Sequence, residues 1–192
     1  MKYDLVLAGV GGQGVLSVAA MLAEAARRSG LEVRQGEVHG MSQRGGAVQA
    51  TLRLADGPIE GDLVARGGAD LVLGAEPVEA LRYLDYLAPG GRLVTAVDPY
   101  ENVPDYPPIE RVLAAVREVP GAVLVEAGEL ARRAGSGRTA NVVMVGAASV
   151  FLPISPEVIE ACLVDGFAAK GARVVEANRR AFTLGRGAVA GS

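Results

Sequence analysis

Two clusters in the chain combine residue types at spacings that could do chemistry. The first is Gly9-Val10-Gly11-Gly12-Gln13-Gly14, a G-x-G-x-x-G run. Glycines so placed allow a tight turn, let backbone amides approach a phosphate or the reacting edge of a cofactor, and let a following helix pack close to a sheet. Gly9, Gly11, Gly12, Gln13 and Gly14 are therefore candidates for binding a cofactor or lining its cleft. The second is Gly36-Glu37-Val38-His39-Gly40-Met41-Ser42-Gln43-Arg44-Gly45-Gly46, which holds the only histidine of the chain beside a carboxylate, a hydroxyl and a guanidinium. A fixed planar cation on a glycine-rich loop suits a carboxylate, a phosphate or another protein surface. Glu37, His39, Gly40, Gln43, Arg44, Gly45 and Gly46 are thus expected to form an interface or substrate loop. The competing reading is a solvated loop in which Arg44 pairs with Glu37. A Ser42–His39 nucleophile pair is disfavoured, because no second carboxylate is placed to orient the imidazole. Thr139 and Asn141 precede an apolar helix; capping explains them first, ligand contact second.

The glycine run leaves three readings open: a dinucleotide, another anionic group or cofactor edge, or a structural turn. A dinucleotide fingerprint would want an acid ending the second strand, but Glu32 begins it and Glu37 stands one residue past Gly36. There is no G-x-x-x-x-G-K-[ST] loop, and the only lysines are Lys2 and Lys170, which disfavours ATP chemistry. The single cysteine, Cys162, can neither close an intrachain disulfide nor by itself hold an iron–sulfur cluster or a Cys-rich zinc site, so no metal is assigned to this chain. Nineteen Lys and Arg against 22 Asp and Glu leave a net charge of −3, a poor match to nucleic acid. The amino terminus does not read as a signal peptide, and the longest apolar stretch, residues 142–152, is too short to span a bilayer. A cytoplasmic chain without membrane or nucleic-acid partners is expected.

Elements that would position these clusters follow from periodicity. With 192 residues the chain is long enough for one domain with a substantial core. Buried strands are predicted at 3–8, 70–75 and 92–97, further strands at 31–36 and 122–126, and a half-exposed strand at 48–54, where apolar and polar residues alternate. Helices are predicted at 15–29, 77–87, 109–118, 129–134 and 141–151, with one opening at Ser155-Pro156-Glu157 and a last one near 174–184. Residues 37–46 and the proline-rich 98–108 read as loops, and Tyr83 and Tyr86 as packing residues. The alternation gives a single α/β domain with a mostly parallel sheet and a helical C-terminal region.

The Gly9–Val15 run together with the Glu37-Val38-His39-Gly40-Met41-Ser42-Gln43-Arg44-Gly45-Gly46 wording resembles the gamma-type subunit of 2-oxoacid:ferredoxin oxidoreductases, most of all the small (beta) subunit of indolepyruvate:ferredoxin oxidoreductase. Thr139-Ala140-Asn141-Val142-Val143 with Gly146-Ala147 is similar to that subunit's later helix. The resemblance covers the chain and implies one catalytic domain over residues 1–192 with a Rossmann-like three-layer α/β/α fold. It also implies a complex that decarboxylates a 2-oxoacid on thiamine diphosphate, passes electrons through iron–sulfur clusters to ferredoxin and delivers the acyl group to coenzyme A. A large partner subunit would hold thiamine diphosphate, Mg and the clusters. This chain would bind none of them alone and would be inactive alone, completing the cleft through the glycine turn and the Arg44 loop, with a homodimer as one state of the isolated chain. Two other classes stay in play: a free-standing NAD(P)-dependent dehydrogenase using Gly9, Gly11 and Gly14, and a non-catalytic nucleotide- or coenzyme-A-binding module.

Overall fold

The computed structural model describes residues 1–40, 45–101 and 103–190. Met41, Ser42, Gln43 and Arg44, and with them the expected loop cation, lie outside the described residues. Six strands, β1 (Lys2–Val10), β2 (Glu32–His39), β3 (Ala47–Ala55), β4 (Ala69–Gly74), β5 (Leu87–Ala96) and β6 (Val123–Val125), form one sheet in the order β2-β3-β1-β4-β5-β6. β4 lies parallel to β1, β5 to β4 and β6 to β5, while β3 runs antiparallel to both β1 and β2. Five strands therefore point the same way and β3 alone is reversed.

The helices are α1 (Val15–Arg28), α2 (Pro77–Arg82), α3 (Ile109–Glu118), α4 (Ala127–Ala134), α5 (Ala140–Ala148), α6 (Pro156–Phe167) and α7 (Ala172–Ala190). Alternation along the buried strands assigns the layers. Leu5 and Leu7 of β1 pack with Leu52, Leu71 and Val94 against α1, α4, α5, α6 and α7. Val6, Val72 and Leu93, one residue out of phase, pack with Ala80 of α2 and Val116 of α3. A run apolar on both faces is what a strand covered by two helical layers requires, so the three-layer α/β/α domain expected from the sequence is what forms.

Several boundaries differ from expectation, each for a local reason. β2 continues through Glu37, Val38 and His39, which were expected in the loop, because Glu37 pairs with Ala50, Val38 with Gln49 and His39 with Val48 in a hairpin with β3. The expected helix over 77–87 stops at Arg82, continues as a 3-10 turn over Leu84–Tyr86, and gives way to β5 at Leu87. Strand backbone there passes so close to β4 that a Cβ on Gly91 would stand 2.7 Å from the Ala69 carbonyl oxygen. The last helix runs from Ala172 to Ala190, well beyond the expected 174–184. It packs on α5 through two glycines: a Cβ on Gly146 would strike the Phe182 carbonyl, and one on Gly185 the Val143 carbonyl. Tyr83 and Tyr86 pack in the α2 layer with ring centroids 6.0 Å apart, as expected.

Candidate functional site

The strand order reverses at β1. From β1 the chain winds outward through α1 to the β2–β3 edge, and after β3 it returns to β4 on the other side. A crevice opens at such a switch point, beyond the carboxyl ends of the strands. Here it has a volume of about 300 Å³ and is lined by Gly12, Gln13 and Gly14 after β1, Ala75 after β4, Asp98 after β5, and the N-terminal ends of α4 and α5.

Gln13 fixes the glycine turn. Its Oε1 accepts from the Val10 N–H at 2.8 Å and its Nε2 donates to the Ala75 carbonyl at 3.1 Å, tying the end of β1 to the end of β4. Gly9 leaves the room: a Cβ there would stand 2.8 Å from Val15 and 2.9 Å from Gln13 Oε1. Gly14, at φ +82°, is the residue before α1, and a Cβ on it would lie 2.6 Å from Asn141 Nδ2. Gly12, at φ +105°, needs glycine for its backbone alone, since a Cβ would meet nothing within 4 Å.

The two sequence clusters come together. The Gly11 N–H donates to the Gly46 carbonyl at 2.8 Å, and the Gly45 N–H to the Gly11 carbonyl at 3.3 Å, so the end of the β2–β3 hairpin is sewn to the glycine turn. Glu37 instead points toward the α1 layer, on the same face as Gln35, whose amide donates to it at 2.6 Å. Gly36 serves packing, not a turn: a Cβ there would come within 2.8 Å of Thr51 Oγ1.

Thr139 and Asn141 separate in role. Thr139 is buried and its hydroxyl donates to the Ser136 carbonyl at 2.8 Å, so it closes the 3-10 turn ahead of α5 and makes no side-chain cap. Asn141 faces the crevice, with its Oδ1 accepting from the Val142 N–H at 2.9 Å and its Nδ2 against Gly14. Two crevice residues were not found from sequence. Asp98 Oδ2 accepts from the Gly128 N–H at 2.9 Å and satisfies the start of α4. Arg138, exposed at the rim, makes no ion pair among the described residues. Asp98 was hidden in the proline-rich loop; Arg138 followed Gly135-Ser136-Gly137, which marked only a turn.

A second acidic group follows Ala75 at the start of α2. Glu76, buried, caps α2 by accepting from the Glu79 N–H at 2.8 Å and takes a short hydrogen bond from the Tyr106 hydroxyl. Burial, then the Glu76 carboxylate, push the Tyr106 phenol well above its ordinary range. Glu79 is buried too, and burial raises its carboxyl above the ordinary 4.5 despite Arg82 Nε at 3.3 Å.

The geometry bears on cofactors. Among the described residues no group of three or more His, Cys, Asp or Glu could hold a metal ion, and Cys162 is buried in the core. These residues do not fit an iron–sulfur cluster or a magnesium diphosphate. They do fit an anionic group in the crevice, met by Arg138 and the uncapped start of α1. Dinucleotide binding fits poorly: the neighbour of β1 on the α1-crossover side is the reversed β3, so any acid ending β2 lies two strand spacings, roughly 10 Å, from β1. No helix among the described residues is long and apolar enough to cross a membrane.

Comparison with known proteins gives concordant results. The sequence profile of the family described as Pyruvate ferredoxin/flavodoxin oxidoreductase matches residues 4–188. "Indolepyruvate oxidoreductase subunit IorB" of Thermococcus kodakarensis is 41% identical over 194 aligned positions, covering 96% of this chain and 94% of that protein. Among solved structures, the gamma subunit of a keto/oxoacid ferredoxin oxidoreductase from Geobacter sulfurreducens shares the fold with a TM-score of 0.71 at 23% identity, covering 99% of each chain. The 2-oxoglutarate:ferredoxin oxidoreductase of Magnetococcus marinus, solved with 2-oxoglutarate, coenzyme A and succinyl-CoA, matches with a TM-score of 0.80 at 23% identity, covering all of this chain but 31% of that one. Neither a free-standing dehydrogenase nor a non-catalytic binding module is favoured by these relatives.

Proposed function

The chain belongs to the Pyruvate ferredoxin/flavodoxin oxidoreductase family, and from that premise we propose that it is the small subunit of a cytoplasmic, thiamine-diphosphate-dependent 2-oxoacid:ferredoxin oxidoreductase acting on indolepyruvate or another aryl pyruvate. The assembled enzyme converts the 2-oxoacid and coenzyme A to acyl-CoA and CO2 and reduces ferredoxin. The observation that carries this reading is the pair of backbone hydrogen bonds joining Gly11 to Gly45 and Gly46, which merges the glycine turn and the hairpin into one edge at the crevice.

The donor set supports a division of labour. One buried cysteine and the lack of a metal-binding cluster among the described residues do not make up the ligand set of an iron–sulfur cluster or of a magnesium-bound diphosphate. Thiamine diphosphate, Mg and the clusters belong to the large partner subunit, through which ferredoxin is reached. When bound there, thiamine diphosphate supplies the carbanion chemistry of decarboxylation. The residues of this chain bind and orient. Arg138 and the backbone N–H groups of Gly12 and Gly14 would hold an anionic group of coenzyme A, while Gln13, whose own N–H donates to the Val10 carbonyl, keeps that turn in place.

The test is reconstitution. The isolated chain should be colourless and should reduce neither ferredoxin nor a nicotinamide; adding the large subunit should give 2-oxoacid- and coenzyme-A-dependent ferredoxin reduction. Acceptor or nicotinamide reduction by the isolated chain would contradict the assignment.

A further inference from the structure

Exposed apolar side chains gather on one side of the sheet. Val38 is 64% exposed and Leu63 78%, the two largest values among the large hydrophobics of the described residues. Val38 pairs with Gln49, and Gly36 with Thr51, so Val38 lies on the α2 side of the sheet, beyond the reach of α2 and α3, whose cluster is built on β1, β4 and β5. The segment carrying Leu63 crosses the same side: the Asp62 carbonyl stands 3.7 Å from the Cβ position of Gly36, and Val64 is buried with Val6 and Val72. Arg34 and Asp62, 3.8 Å apart and both exposed, form a polar rim. Two further exposed residues, Tyr100 and Val103, stand on the segment that leaves β5 at the carboxyl edge, where β2 also ends. Among the described residues β2 pairs with β3 alone, so its outer edge is open there.

An apolar centre with a charged rim on an uncovered sheet face is the anatomy of a subunit interface. We propose that this β2–β3 face, centred on Val38 and Leu63, docks the large subunit of the enzyme. The inference rests on the reading of the chain as one subunit of a 2-oxoacid:ferredoxin oxidoreductase and goes beyond it in naming the surface. The occupant follows from the fold comparison: in the Magnetococcus marinus enzyme the same fold makes up 31% of a longer chain, so most of that polypeptide is available to cover faces that this chain leaves bare. A hairpin covered on that face and sewn to Gly11 at its end also brings the large subunit to the edge of the crevice, where a shared ligand would have to lie.

The test measures binding of the isolated chain to the purified large subunit. A Val38→Glu, Leu63→Glu double variant should keep its circular dichroism and melting temperature and bind at least about tenfold more weakly, because charges would be buried at the centre of the contact. Val150→Glu, an exposed apolar residue at the end of α5 in the opposite layer, should bind like wild type. Wild-type affinity of the folded double variant would overturn the proposal. So would a double variant that dissociates a homodimer of the chain yet still binds the large subunit, since the face would then belong to a second copy. Failure of the wild-type chain itself to bind the large subunit would instead overturn the functional reading.

Discussion

The side-chain amide of Asn141 occupies the space that a β-carbon on Gly14 would need, at 2.6 Å from its ideal position. Gly14 is therefore constrained twice, by its left-handed backbone at φ +82° and by the Asn141 side chain packed against it from the start of α5. Gly14→Ala should lower stability by about 2 kcal/mol or more, combining left-handed strain with displacement of the amide. Asn141→Gly should relieve the displacement but not the strain, so a double-mutant cycle should show positive coupling, read from chemical denaturation. Additive losses would mean that the two residues do not share this space.

Gln13 bridges two strand ends with opposite atoms of one amide, so its glutamate analogue isolates the donor. Gln13→Glu keeps an acceptor for Val10 but sets a carboxylate oxygen against the Ala75 carbonyl. The variant should lose about 1–3 kcal/mol at neutral pH and recover part of it at low pH, where the protonated acid donates again. Equal losses at both pH values would show that the Ala75 bond contributes nothing.

How much of this was legible in sequence depends on whether the signal was local. The buried strands and α1 announced themselves through continuous aliphatic runs and helical spacing, and the glycine turn through its context between them. The reversal of β3 was not legible, because alternation of Val48, Ala50, Leu52 and Leu54 reports a half-buried strand of either direction. Nor was the extension of β2 through His39, since Glu37 and Gly36 have low strand propensity and only pairing with β3 holds them. Asp98 and Arg138 enter the crevice from residues 98–108 and from the turn before α5, and only the fold sets them opposite the glycine turn.

Glu79 carries a pH prediction. Its folded-state carboxyl sits above the ordinary 4.5 because of burial, so the native state holds the proton more tightly than the unfolded chain. Stability should then fall as pH rises from about 4.5 through the raised folded value, and the loss should persist above it. Glu79→Gln should be more stable than wild type at neutral pH, with the advantage vanishing near pH 4. An advantage independent of pH, measured by denaturant unfolding, would remove titration as its cause.

Gly146 and Gly185 let α5 and α7 approach until each faces a carbonyl of the other helix. Alanine at either should cost about 3 kcal/mol or more, since the neighbour is backbone and cannot swing aside. Thermal melts of Gly146→Ala and Gly185→Ala compared with Gly166→Ala, where a Cβ meets nothing within 4 Å, check this. Comparable melting of all three would contradict the close approach.

The central claim, that the glycine turn faces a group supplied by the assembled enzyme, is tested most directly by turnover with Gly12→Ala. Gly12 and Gly171 both have positive φ, +105° and +92°, and neither would crowd a neighbour within this chain. Alanine at either should therefore cost roughly 1–3 kcal/mol from backbone strain alone. Only Gly12 lines the crevice. In the reconstituted complex, Gly12→Ala should lower 2-oxoacid- and coenzyme-A-dependent ferredoxin reduction at least about tenfold, a loss of about 1.4 kcal/mol in transition-state stabilisation, while Gly171→Ala turns over normally. Equal, wild-type turnover of both variants would contradict it.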